Sequence, residues 1–151
     1  MEYVRRGYFV NTNQRRFDFD FVCRSLHSTR WAKDRPNATI VASFRNSLCF
    51  GLFSKATKGQ IGFVRVVTDK VVASVIDDVF VEAQYRGKGL GSWLMTCVMS
   101  HPYVYRTKCR LKTADAHGFY EKFGFARGVA MERRPGNPPP KPNKALEPSR
   151  L

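Results

Sequence analysis

The segment Gln84-Tyr85-Arg86-Gly87-Lys88-Gly89-Leu90-Gly91 sets three glycines at alternate positions beside two cations. Glycines allow a tight turn whose amides converge on one concavity. A helix beginning just behind the turn adds the partial positive charge of its N-terminus, so a pyrophosphate suits this place. Two common phosphate loops fit poorly. A dinucleotide turn of the form G-x-G-x-x-G needs a third glycine where Ser92 stands, and an acidic residue roughly 20 positions on, where this chain is basic. A G-K-[ST] loop fails because Gly89 follows Lys88. A plain strand-to-helix turn would need neither the alternate spacing nor the two cations.

Composition frames this motif. Lys and Arg number 26 against 12 Asp and Glu, a formal charge of +14. Residues 1–82 carry thirteen basic and eight acidic groups, and residues 83–151 thirteen and four, so the excess gathers in the half that holds the glycine turn. Such a balance points to an anionic partner: nucleic acid, a phosphate-rich cofactor or a membrane surface. The cysteines, Cys23, Cys49, Cys97 and Cys109, lie far apart with no C-x-x-C pair, which argues against a zinc site or a disulfide framework. Arg5 and Arg6 precede an apolar stretch that Asn11-Thr12-Asn13 interrupts at once, and no run reaches the length of a membrane span. The expectation is a protein of the reducing cytoplasm, without membrane or metal, whose thiols act as small hydrophobes.

The elements that position the turn follow from periodicity. Tyr3–Val10 reads as a strand, Asp20–Ala32 as a helix, and Pro36 as the start of a second helix to about Asn46. Leu48–Ser54, Gln60–Thr68 and Val71–Val81, separated by short turns, predict an antiparallel meander. Leu90, Trp93, Leu94, Cys97 and Val98 fall at helical spacing in a helix ending before Pro102. From Tyr103 to Thr113 alternation returns, with Arg106, Lys108, Arg110 and Lys112 on one face. A short helix over Asp115–Lys122 ends at Gly124, and Phe125–Arg133 reads as a final strand. Residues 135–151 hold six of the eight prolines and cannot bury a face, which leaves one folded unit of residues 1–134 and a disordered tail. The order is that of an α/β protein, with helices as crossovers or covers.

The pattern Q-x-x-G-x-G at Gln84, Gly87 and Gly89 resembles that of the GCN5-related N-acetyltransferases. A second match is Ala116-His117-Gly118-Phe119-Tyr120-Glu121-Lys122-Phe123-Gly124-Phe125, similar to the family's late helix A-x-x-[LF]-Y-x-K-x-G-F. Asp78-Val79-Phe80-Val81 resembles the strand that runs into its loop. The likeness is close over roughly residues 48–133. It implies an acyl-coenzyme A N-acyltransferase fold, a mixed and mostly antiparallel central sheet flanked by helices.

The resemblance also implies roles. Gln84, Arg86, Gly87, Lys88, Gly89, Leu90 and Gly91 would bind the pyrophosphate of acetyl-coenzyme A. Backbone groups of Val79, Phe80 and Val81 would grip the pantetheine where two strands splay and would polarise the thioester. Tyr120 matches the tyrosine that protonates the departing thiolate, with one more core aromatic as the plainer reading. Asp78 is the candidate general base: alternation sends Asp77 and Asp78 to opposite faces, so one at most enters a cleft. A water chain, with Asp78 capping a turn or pairing with a cation, is the equal alternative. His117 lies near Tyr120 on the same helix. Thr113 stands where many members have a cofactor-contacting asparagine, with its hydroxyl or Asp115 as the replacement. His27 and Trp31, spaced as helical neighbours, would line the pocket of an unidentified amine acceptor, although core packing suits Trp31 better.

Two other functions compete with an acetyl-coenzyme A dependent N-acetyltransferase. One is a basic nucleic-acid-binding module, against which the aromatics alternate into apolar patterns and do not interleave with the cations. The other is a coenzyme A-binding sensor without turnover, which Tyr120 argues against. The sequence specifies neither the acceptor nor an oligomeric state, a dimer included.

Overall fold

The computed structural model describes residues 1–131. One sheet holds six strands in chain order: β1 (Glu2–Arg5), β2 (Tyr8–Asn11), β3 (Leu48–Ser54), β4 (Gln60–Thr68), β5 (Ala73–Val81) and β6 (Lys108–Leu111). The first five pair antiparallel, and β6 joins β5 parallel. The helices are α1 (Phe19–His27), α2 (Asn37–Arg45), α3 (Leu90–Ser100), α4 (Pro102–Tyr105) and α5 (His117–Glu121). This is the mixed, mostly antiparallel α/β architecture that the pattern implied.

Strands buried on both sides read as continuous apolar runs, and β3, Leu-Cys-Phe-Gly-Leu-Phe-Ser, is buried from its second residue onward. On one face Val10, Phe50, Leu52, Val64 and Val66 pack with Leu94, Met95 and Val98 of α3. On the other, Phe63 and Cys49 pack with Phe21 and Leu26 of α1 and with Ile40 and Phe44 of α2. The ends of the helices are set locally. The carboxylate of Asp18 accepts from Phe21 N at 2.9 Å, satisfying an otherwise unpaired first-turn amide of α1. Pro36 precedes α2, and its carbonyl accepts from Ile40 N at 3.0 Å. Burial pushes the Cys49 thiol up to about 12 and the Cys97 thiol up to about 11, so both behave as apolar core groups. Among the described residues no helix is long and apolar enough to cross a membrane.

Several expected elements differ. Tyr3–Val10 is two strands, because Arg6 adopts φ 45° and Arg6-Gly7 turns the chain back so that Arg5 opposes Tyr8. The first helix stops at His27, so Arg30–Arg35 lie in a connection and His27 and Trp31 share no helical face. The meander's third strand starts at Ala73, after a turn in which Asp69 Oδ1 accepts from the amides of Val71, Val72 and Ala73 at 2.8–3.0 Å. Tyr103–Tyr105 is helical: Pro102 suits a first turn and the His101 ring caps it through Tyr103 N, leaving only Lys108–Leu111 as strand. Lys108 and Arg110 are exposed there, and Cys109 and Leu111 turn inward, as alternation requires. The late helix is shorter than expected, and residues 125–131 form no strand. Segment 135–151 and the boundary at 134 lie outside the described residues.

Gly62 sits on β4 opposite Val81 of β5. A Cβ there would stand 2.7 Å from the Phe80 carbonyl oxygen, an atom that cannot rotate away. Gly62→Ala is expected to destabilise the fold by about 1–3 kcal/mol in urea unfolding, as overpacking does.

Candidate active site

The site begins where β5 parts from β6. The two pair in register from Ala73 with Lys108 to Ile76 with Leu111, and β5 then runs on to Val81 with no described strand on that edge. On its other edge the β4–β5 register slips: Phe63 opposes Phe80, and Arg65 opposes Asp77. Asp78 and Val79 therefore face Val64 together, a bulge that bends the strand. Asp78 takes φ 45° at this point.

A cavity of about 620 Å³ opens between the parted strands. Asp77, Asp78 and Val79 form one wall and Lys112–Ala116 the other, with Arg30, Trp31 and Tyr120 at its margins. Beyond Val81 the chain passes through a 3-10 turn, Ala83–Tyr85, into Arg86–Gly89 and α3. Gly87 and Gly89 have φ of 76° and 75°, and a Cβ at either would meet nothing within 4 Å, so their role is conformational. Gly89 is the N-cap of α3 and makes no side-chain cap, so the first amides of an 11-residue helix face the turn without a side-chain partner. Arg86 Nε donates to the Val81 carbonyl at 2.8 Å and its guanidinium lies 5.6 Å from the Phe80 ring centre; Lys88 Nζ lies 5.3 Å from that of Tyr85. Both cations are thus held at the turn. Gln84 is exposed beside them, and Gly91 sits against Phe119 and Val81.

The catalytic candidates fare differently. Tyr120 is half-buried on the cavity margin, in edge contact with Phe119 (5.0 Å) and Phe125 (6.2 Å). Burial raises its phenol above the ordinary value, so the proton stays on. Asp78 takes the alternative to a general base, pairing with cations. Its side chain is wholly buried, and its oxygens accept from Arg65 Nε (2.7 Å), Arg35 Nη1 (2.9 and 3.1 Å) and Trp31 Nε1 (3.3 Å). No lone pair is left for an acceptor's proton. The expectation that Asp77 and Asp78 point apart also fails, because the bulge suspends alternation: Arg65 Nη2 pairs with Asp77 Oδ2 at 2.5 Å while its Nε holds Asp78.

Other placements follow. Leu90 is buried in the core, so only its backbone meets the turn. Val79 and Val81 lean on the α3 side and Phe80 on the α1 side, where it stacks on Phe63 at 5.5 Å. Thr113 Oγ1 accepts from Ala116 N at 3.0 Å and so shapes the approach to α5. Trp31 is 56% exposed and lines the cavity, which overturns its reading as core. His27 is exposed, its Nε2 is 2.8 Å from the Arg35 carbonyl, and it does not line the cavity. A smaller concavity of about 450 Å³ by Phe9, Arg16 and Lys55 gathers none of the candidate residues.

Comparison with known proteins decides the class. Residues 46–127 match the family model described as the acetyltransferase (GNAT) domain. A Xanthomonas campestris protein whose crystal structure places it in the GNAT family is 36% identical, with TM-score 0.79, over 84% of this chain and 92% of that one. This chain belongs to the GNAT acetyltransferase family. A Gibberella zeae protein named for acetyltransferase activity is 27% identical over 89% of this chain and 93% of its own length. The Trypanosoma brucei acetyltransferase structure, 20% identical with TM-score 0.63 over 84% of this chain and 98% of its own, shares the fold.

For this GNAT chain the sequence reading missed Arg35, Arg65, Arg30 and Lys112. One signal was available: Arg65 is a lone charge within the apolar run Gln60–Thr68, and a buried cation demands an anionic partner. Arg30 Nη2 reaches Asp115 Oδ2 at 2.7 Å across the cavity mouth, joining residues 85 positions apart, which no local pattern reveals.

The turn's left-handed geometry is testable by itself. Gly89→Ala should cost about 1–2 kcal/mol of unfolding free energy, since a Cβ there meets backbone strain although no neighbour is close. Gly118→Ala, at a helical position with open space, should be neutral or mildly stabilising in the same urea titration.

Proposed function

We propose that the protein transfers the acetyl group of acetyl-coenzyme A to a primary amine, with donor and acceptor held together in the cleft between β5 and β6. The observation that carries this reading is the parting of the two strands after Ile76 and Leu111, directly before the bulge and the glycine turn. The donor fits the residues present. The Arg86–Gly91 turn presents uncapped helix amides and two cations to a pyrophosphate, with Gln84 at its rim. Val79, Phe80 and Val81 would hold the pantetheine through their backbone, and the Thr113 hydroxyl lies on the opposite wall. When bound, acetyl-coenzyme A supplies an activated thioester and a thiolate leaving group.

The chain's own part is positioning and one proton. Tyr120 Oη keeps its proton because burial disfavours the phenolate, and it is the donor poised at the cavity. Asp78, saturated by its cations, serves as an anchor, and the proton of the attacking amine passes to solvent. Trp31 and Arg30 border the acceptor side. A reducing cytoplasm is the compartment we assign to it.

Calorimetry at low salt should detect acetyl-coenzyme A binding, and thiol release across a panel of aliphatic amines, aromatic amines, amino acids, aminosugars and peptide N-termini should find an acceptor. Absence of binding sinks the reading, and binding without transfer to any amine favours a sensor.

Tyr120→Phe should retain coenzyme A binding while turnover falls by about 10²–10⁴-fold, the usual share of a positioned acid. The sign of the pH dependence follows from the raised phenol. The acid form persists through and above its ordinary value of about 10, so loss of activity through Tyr120 occurs only above that pH. This alkaline limb should vanish in Tyr120→Phe, and an unchanged profile would remove Tyr120 from the acid role.

A further inference from the structure

Asp78 gathers three parts of the molecule that no local pattern connects. Arg65 approaches from β4, and Arg35 and Trp31 come from the connection between α1 and α2. Among the described residues, every hydrogen bond from that connection to β5 ends on the Asp78 carboxylate. The same residue is the bulge, at φ 45°, where β5 turns away from β6. Its side chain is 0% exposed, that of Arg65 9% and that of Arg35 24%, so the contacts are made largely out of water, where they hold their geometry.

Trp31 is the consequence. Its residue surface is 56% exposed, yet its indole nitrogen is fastened 3.3 Å from a fully buried carboxylate. An exposed tryptophan in a connection without helix or strand would ordinarily sample several rotamers. Here its ring is held at the cavity by an anchor in the strand that forms the adjoining wall.

We infer that Asp78 is a positioning residue that couples the two halves of the site: one carboxylate sets both the bulge beside the donor and the Trp31 wall beside the acceptor. Seating of coenzyme A against Val79–Val81 is thereby communicated to Trp31 through Asp78 and Arg35. This inference rests on the acetyltransfer reading for the identity of the donor, while the anchoring of Trp31 stands on the geometry alone. It assigns Asp78 no proton transfer, and its negative charge is what the two guanidinium groups require. An amide of the same size would accept fewer hydrogen bonds and would leave Arg35 with no ionic partner at that site.

The test follows Trp31 optically in a Trp93→Phe chain, since the sequence holds two tryptophans. The parent should show Trp31 anisotropy decay without a large fast local component, despite the ring's exposure, and a change in emission on saturation with coenzyme A. In Asp78→Asn the fast component should grow to about half or more of the decay, the range of an unrestrained surface side chain on the nanosecond scale. The emission response should disappear even at saturating coenzyme A, and the coenzyme A dissociation constant should rise by about three- to tenfold, because the bulge beside the donor loosens with the same carboxylate.

Should Asp78→Asn not fold, Arg35→Gln keeps the Arg65–Asp78 pair, removes the ionic tie between the connection and β5, and should loosen Trp31 in the same way. A Trp31 ring equally restrained in both variants, or an emission response that survives in both, overturns the inference. So does a coenzyme A dissociation constant unchanged in Asp78→Asn, which would confine the carboxylate's effect to Trp31. If the parent fails to bind coenzyme A the donor reading falls, and the anisotropy arm still decides whether Asp78 fixes Trp31.

Discussion

A left-handed residue in the middle of a strand needs something to hold it, and at Asp78 that something is a buried carboxylate between two guanidinium groups. A non-glycine residue at positive φ costs about 1–2 kcal/mol, whereas breaking a buried, hydrogen-bonded ion pair costs about 3–5 kcal/mol. The pair wins, so the bulge persists. From it follow the bend of β5, the loss of pairing to β6, the cavity between the strands and the direction in which the chain enters the glycine turn. Asp77 and Asp78 share Arg65, and Arg35 completes a cluster of two cations and two anions, which keeps this interior near neutrality in a strongly basic chain.

The glycine turn depends on that frame. Val81 is the last residue of β5 that still pairs with β4, opposite Gly62, and its carbonyl then receives Arg86. Gly87 and Gly89 take left-handed φ where the turn meets α3, while Leu90, Leu94 and Val98 anchor the helix in the core behind. Charge near the turn is therefore ordered by packing against Phe80 and Tyr85. Part of the remaining basic excess belongs to the edge strand, where Lys108 and Arg110 face water. Cations there also discourage edge-to-edge pairing with another sheet.

What was legible in the chain was whatever rests on local periodicity or on a contiguous motif. The spacing of Leu90, Leu94, Cys97 and Val98 marks α3, and the runs Leu48–Ser54 and Gln60–Thr68 mark strands buried on both faces. The glycine turn and the late helix carried the family. The failures share a cause. Tyr3–Val10 looks like one strand because a single arginine at positive φ leaves no compositional trace, and Tyr103–Tyr105 alternates like a strand although Pro102 and His101 start a helical turn there. Asp20–Ala32 reads as one helix because Trp31 continues a rough apolar rhythm; in the fold, Trp31 leaves the core to sit over Asp78.

The sequence by itself determined the class of the protein, the mixed α/β architecture and the place of the phosphate-suited turn, because each is encoded by residues adjacent or a few positions apart. Tertiary structure alone decided that both carboxylates of β5 are spent on cations. Alternation placed Asp77 and Asp78 on opposite faces, and only the slip in register between β4 and β5 brought both to Arg65. It likewise decided that His27 stays outside the cavity and Trp31 enters its wall, since the end of α1 at His27 and the reach of Arg35 to Asp78 depend on contacts 43 positions apart. A pairing over that distance leaves no periodic signal; it exists only once the sheet has brought the partners together.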